Sequence, residues 1–189
     1  MRHSRKLGAI LALGATAAVT LAAAASAGQA FRDTIHVEDT FTEEDFCDAP
    51  GLDVEISLVL DQRIHVVPHG RDRLDYFVQH STVTDVFTNL ATGESVTGVV
   101  TVNEKDKRVT DNGDGTLTIR ILATGNAVLY QNGKAIARDP GQIRFEILVD
   151  HNGTPTDPFD DEFIENLEVV KDSTGRSDDF CEAAVPALT

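Results

Sequence analysis

Tryptophan is absent from this chain, tyrosine occurs only at Tyr76 and Tyr130, and cysteine only at Cys47 and Cys181. So few indole and phenol rings disfavour a carbohydrate-binding module, which presents aromatic platforms to sugar faces. Basic residues are scarce as well: 16 Lys+Arg stand against 31 Asp+Glu, a net charge of −15. Such a chain repels phosphate backbones and anionic lipid, so nucleic acid and membrane surfaces make poor partners. Catalytic signatures are missing too: there is no Gly-x-Ser-x-Gly elbow, no His-Glu-x-x-His pair, no phosphate-cradling glycine loop and no free catalytic cysteine. A pair of carboxylates for glycoside hydrolysis can always be picked from 31 acids, so that count discriminates nothing. No reaction is written in these residues.

The N-terminal residues carry an address. Arg2, Arg5 and Lys6 precede a charge-free apolar run over residues 7–25, and Ala25-Ser26-Ala27 offers a small-x-small cleavage pattern. This is the order of a secretory signal, with residues 1–27 removed and residues 28–189 left as one soluble domain outside the cytoplasm. An uncleaved membrane anchor is the alternative, weakened by the dominance of alanine in the run. No later segment is apolar enough to span a bilayer. Residues 28–189 carry all the acids and 13 of the 16 Lys+Arg, a net charge of −18 over 162 residues. That length suffices for one hydrophobic core.

Cys47 and Cys181 share a frame: Asp45-Phe46-Cys47-Asp48-Ala49 and Asp179-Phe180-Cys181-Glu182-Ala183. An exported chain with an even cysteine count is expected to carry a disulfide, here tying the start of the domain to its end. The alternatives are two free thiols or a bridge between two chains. Phe46 and Phe180 are placed to pack beside the bridge.

Strand patterning dominates the rest. Leu52, Val54, Ile56, Leu58 and Leu60 alternate with Asp53, Glu55, Ser57 and Val59, the period of a half-buried strand. Residues 76–90 read as one long strand, residues 96–102 open the next, and residues 117–123, 143–149 and 163–170 follow. Asn112-Gly113, Asp114-Gly115, Asn132-Gly133 and Asn152-Gly153 supply hairpin turns, and Asp139-Pro140-Gly141 reads as another. Sequential hairpins give an all-β antiparallel meander. The expected form is a closed or nearly closed β-barrel, with a β-sandwich as the alternative. Residues 154–162 and 171–189 read as loop and tail.

Three constellations are candidates for chemistry. Arg63, His65, His69, Arg71 and Arg73 straddle the Pro68-Gly70 turn, and the first two share a strand face, suited to a carboxylate or phosphate. The plainer account is a solvated hairpin paired with Asp61, Asp72 and Asp75. His80 and Tyr76 share a strand face and are expected to point inward, as ligand contacts or an acid/base pair. Against that stands a satisfied core histidine. Asp157, Asp160 and Asp161 crowd an acidic loop that offers hard oxygens to calcium, although no EF-hand spacing is present and such loops are commonly just solvated.

The stretches Thr110-Asp-Asn-Gly-Asp-Gly-Thr116, Ala123-Thr-Gly-Asn-Ala-Val-Leu-Tyr130 and Ser177-Asp-Asp-Phe-Cys181 resemble uncharacterised exported proteins of high-GC Gram-positive bacteria. That resemblance implies export and brings no activity or site residue. The strand order is loosely similar to lipocalin and allene oxide cyclase-like barrels, a likeness of architecture alone. Three functions follow, in order: a secreted barrel binding a small, partly apolar ligand; an isomerase or cyclase using the cavity with His80 as acid/base; and an extracellular interaction or structural module with a protein partner.

Overall fold

The computed structural model describes residues 30–189; the export segment expected at residues 1–27 lies outside them. Seven strands follow one another: β1 (Phe31–Glu43), β2 (Val54–His69), β3 (Leu74–Asn89), β4 (Ser95–Asp111), β5 (Thr116–Gln131), β6 (Lys134–Asp150) and β7 (Glu162–Lys171). They pair antiparallel in sequence order as a single meander. The middle strands are joined by short turns at the glycines, whereas residues 44–53 link β1 to β2 and residues 151–161 link β6 to β7. At Asn132-Gly133 both residues take positive φ, 50° and 74°, the twist a two-residue hairpin needs.

The sheet is not closed into a barrel: among the described residues, neither β1 nor β7 has a partner on its outer edge. β7 explains why closure fails. It has only ten residues, and its pairing with β6 shifts register three times, so it covers β6 from Arg144 onward. Each bulge bends the strand and interrupts the ladder. Beyond Lys171 the chain turns back along β6, where Asp178 N–H donates to Arg138 O at 3.2 Å.

Three features depart from the sequence pattern. β1 lies outside the stretches that alternation singles out, although Phe31, Ile35 and Val37 fall on one parity. Asp139-Pro140-Gly141 lies inside β6 and makes no turn. Pro140 pairs with Asn126 of β5, and its other side is met not by β7, whose pairing starts at Arg144, but by the returning chain at Gly175. The expected tail ends in a helix, α1 (Phe180–Leu188), capped by Asp179, whose carboxylate accepts the Glu182 N–H at 3.0 Å. The last carbonyls of α1 are met by side chains from the sheet: Gln131 Nε2 donates to Ala187 O and Asn89 Nδ2 to Leu188 O, at 2.7 and 2.9 Å.

Burial marks one face as inner. Val54, Ile56, Phe87, Val96, Ala127, Leu129 and Ala137 form a core under α1 with Phe46, Leu52, Phe180, Ala184 and Leu188. A smaller cluster, Val109, Leu117 and Val149, closes the opposite end with Leu74, Tyr76, Ile119 and Ile147 packed on it. The Cys47–Cys181 disulfide, with 5.6 Å between Cα atoms, joins the segment before β2 to α1 within one chain. Phe46 and Phe180 pack beside it, in line with their shared frame.

Candidate ligand-binding face

Between the two clusters the inner face is only half-buried, and its residues follow from the register. Leu58, Leu60, Gln62 and Ile64 of β2 lie opposite Asp85, Val83, Ser81 and Gln79 of β3. Val83, Ser81 and Gln79 in turn face Val100, Val102 and Glu104 of β4, which meet Ala127, Gly125 and Ala123 of β5. A polar row crosses this apolar floor: Gln62 Nε2 donates to Gln79 Oε1 at 2.8 Å, and Gln79 Nε2 donates to Glu104. Asp106 accepts the Phe77 N–H at 2.8 Å where β3 and β4 part. Toward β7, a groove of about 300 Å³ is lined by Ile143, Phe145, Asn166, Leu167, Glu168 and Val169. Its size sits at the small end of ligand sites.

Two carboxyls on this face are tuned by burial. Asp85 is 7 % exposed and its Oδ1 has no hydrogen-bond partner. Its carboxyl is pushed up to about 6 by loss of water. Asp106 is also raised to about 6, chiefly by burial, with the Phe77 N–H opposing and Glu104 adding to the rise. Neither residue stands out in the sequence. A signal is there nonetheless: an Asp at an apolar parity of a long strand, Asp85 between Val83 and Phe87.

His80 and Tyr76 do not share an inner site. The register that buries Asp85, Phe87 and Asn89 places His80 on the opposite face, exposed, its Nδ1 donating to Asn103 Oδ1 at 2.9 Å. Alternation along β3 sets this, since its pairing with β2 has no bulge to reverse the parity. Arg63 lies directly across from His80 on that outer face, and His65 sits opposite Val78 one row on. The sheet thus gathers Arg63, His65 and His80 into one patch, but on the outer face. Tyr76 has His80's parity but lies beyond the last β3–β4 pair, at Val78, and packs on the far cluster: its hydroxyl accepts the Val109 N–H at 3.1 Å, and its ring meets His69 at 5.2 Å between centroids.

In the acidic loop, Asp157 and Asp160 bond to the loop's own turns, and Asp161 Oδ1 is buried with no hydrogen-bond partner. Asp157 accepts the Phe159 N–H at 3.2 Å, and Asp160 accepts from the Thr154 hydroxyl while its carbonyl takes Asn152 Nδ2 at 2.6 Å. Asp161 is raised to about 7 by burial and by Asp160, with His151 opposing. Among the described residues no group of three or more His, Cys, Asp or Glu is arranged to hold a metal ion.

No protein-family model, no curated protein and no solved structure matches the chain. No helix among the described residues is long and apolar enough to cross a membrane.

Proposed function

We infer that the protein is a secreted, disulfide-closed β-sheet that holds a small, partly apolar ligand on its inner face. The observation that supports this most is the half-buried floor between two buried ends, largely apolar but crossed by the Gln62–Gln79–Glu104 row and carrying Ser81 and Asp85. A sheet face that served only as core would be covered along its whole length; one that served only as surface would be polar along it. The disulfide is consistent with an extracellular setting.

Native mass spectrometry of the oxidised protein from its own secretion medium tests this reading. A stoichiometric small-molecule adduct that disappears on substituting Gln79 and Val102 by bulkier residues is the expected result. A bare monomer mass that never changes in the presence of small-molecule extracts would overturn it.

A second reading rests on a different observation. Of the large hydrophobic residues exposed at the surface, Phe163, Ile164, Leu167, Val169 and Val170 all lie on β7, the short bulged edge. A concentration of apolar surface on one strand suits an extracellular interaction module. In that case the same spectra would carry a second protein chain, lost when Leu167 and Val169 become serine.

A further inference from the structure

The two faces of the sheet differ in charge as well as in burial. No Lys, Arg or His occupies an inner position of β1, β2, β3 or β5, of β4 over residues 96–106, or of β6 over residues 137–149. Acids do: Asp33, Asp75, Asp85, Glu104, Asp106 and Asp139 are all inner. Over the same stretches the cations Arg32, Arg63, Lys105, Arg120 and Arg144 fall on the outer face, where Arg120 pairs with Glu146 at 2.7 Å. An open acidic protein surface ordinarily interleaves both signs. A half-buried face whose charges are all of one sign attracts an incoming counter-charge.

Asp85 makes the second observation. It lies where the core under α1 gives way to the open floor, one inner position beyond Phe87 and one before Val83. A nearly buried carboxylate with an oxygen left unpaired is costly to keep unless something meets it. Gly98 stands across from it on β4, and a Cβ there would come within 3.4 Å of the Phe87 ring and 3.9 Å of the Asp85 Cβ, so glycine keeps that corner low. The neighbouring inner side chains are Leu58, Val83 and Val100, all half-buried.

We propose that the inner face binds a small primary alkylammonium cation, its N–H groups on the Asp85 carboxylate and its hydrocarbon chain along Leu58, Leu60, Val83 and Val100. An ammonium carries both the charge that this face lacks and the donors that the free Asp85 oxygen lacks. The proposal rests on the ligand-binding reading above and names the chemical class of that ligand.

The test is isothermal calorimetry on the oxidised protein at pH 7.5 and low salt, with octylammonium and its chain-matched anion octanoate as probes. Octylammonium is expected to bind at least about tenfold more tightly than octanoate, a difference of about 1.4 kcal/mol. Asp85→Asn should weaken the cation several-fold and leave octanoate unchanged, and Glu104→Gln, six residues further along the ladder, should weaken it less. Glu55→Gln, on the exposed outer face of β2, should change neither. Equal binding of both probes overturns the charge assignment and leaves the ligand-binding reading standing. Equal losses in all three variants overturn it too, because net charge alone would then attract the cation. Binding of neither probe at millimolar concentration removes both readings.

Discussion

Phe46 and Phe180, the residues preceding the two bridge cysteines, meet edge to face with ring centroids 6.0 Å apart. Phe87 of β3 touches both, at 5.4 and 5.3 Å. The covalent link and the aromatic core are therefore one structure, and each end of the domain reaches it through a matching Asp-Phe-Cys frame.

Removing the bridge tests how much of that structure is covalent. The disulfide closes a loop of 134 residues, which on chain-entropy grounds corresponds to about 4–5 kcal/mol. Cys47→Ser with Cys181→Ser should lower the urea midpoint accordingly while far-ultraviolet dichroism still reports a sheet. An unchanged midpoint would mean that the three phenylalanines alone set the position of α1.

Gly125 offers a sharper packing test. It lies opposite Val102 on β4 and Gly141 on β6, and a Cβ there would stand 2.6 Å from Thr101 O and 3.3 Å from Val102 Cγ2. The first of these is a backbone atom of a paired strand and cannot swing aside. Gly125→Ala should cost about 1–3 kcal/mol, the usual range for overpacking, read as a fall in melting temperature. Retained stability would place the two strands further apart than this register allows.

The strands and their turns are legible in the sequence because alternation and Asn-Gly or Asp-Gly pairs act locally. Phe163 begins the last stretch that reads as a strand, and that stretch is β7. Features that depend on neighbours are not legible in this way. Pro140 looks like a turn because proline cannot donate to a ladder, and only the structure shows it inside β6, paired with Asn126 and met by the returning chain. α1 is hidden by Pro186 inside it and by its brevity; its signal is Asp179 as cap with Ala183, Ala184 and Ala187 at helical spacing. Alternation tells which residues of β3 share a face and leaves open which face is covered, so it misplaces His80 and passes over Asp85. Once Phe87 is known to be core, the parity of β3 makes Asp85 inner and His80 outer.

His80 then becomes a negative control. Exposed and bonded to Asn103, it should be replaceable by alanine with a change of less than about 0.5 kcal/mol in stability and no effect on ligand affinity. The measurement is a melting curve alongside the octylammonium titration. A loss of binding without a loss of fold would return the site to the outer patch formed with Arg63 and His65.

Acidification should stabilise the protein, and the sign follows from three buried carboxyls. Asp85 and Asp106 are raised to about 6 and Asp161 to about 7, from an ordinary value of 3.8, each mainly by burial. A carboxyl raised in this way holds its proton in the folded state at a pH where the unfolded chain has released it. Its contribution to stability is complete below about pH 4 and is lost as pH climbs through 6 and 7. Asp114 and Asp178 shift the other way, through hydrogen bonds from Thr116 and Arg176, but Asp114 is exposed and Asp178 pairs with an exposed Arg176, so their effect is small. The melting temperature should therefore be higher at pH 5 than at pH 8. Relief of general repulsion in so acidic a chain would act in the same direction, so one variant has to separate the causes. Asp85→Asn keeps the shape and removes the charge: it should raise the melting temperature at pH 8 and leave it nearly unchanged at pH 4. If that variant is instead less stable at pH 8, the Asp85 carboxylate has a partner in solution, and its burial is not the uncompensated cost that sets the direction of the pH dependence.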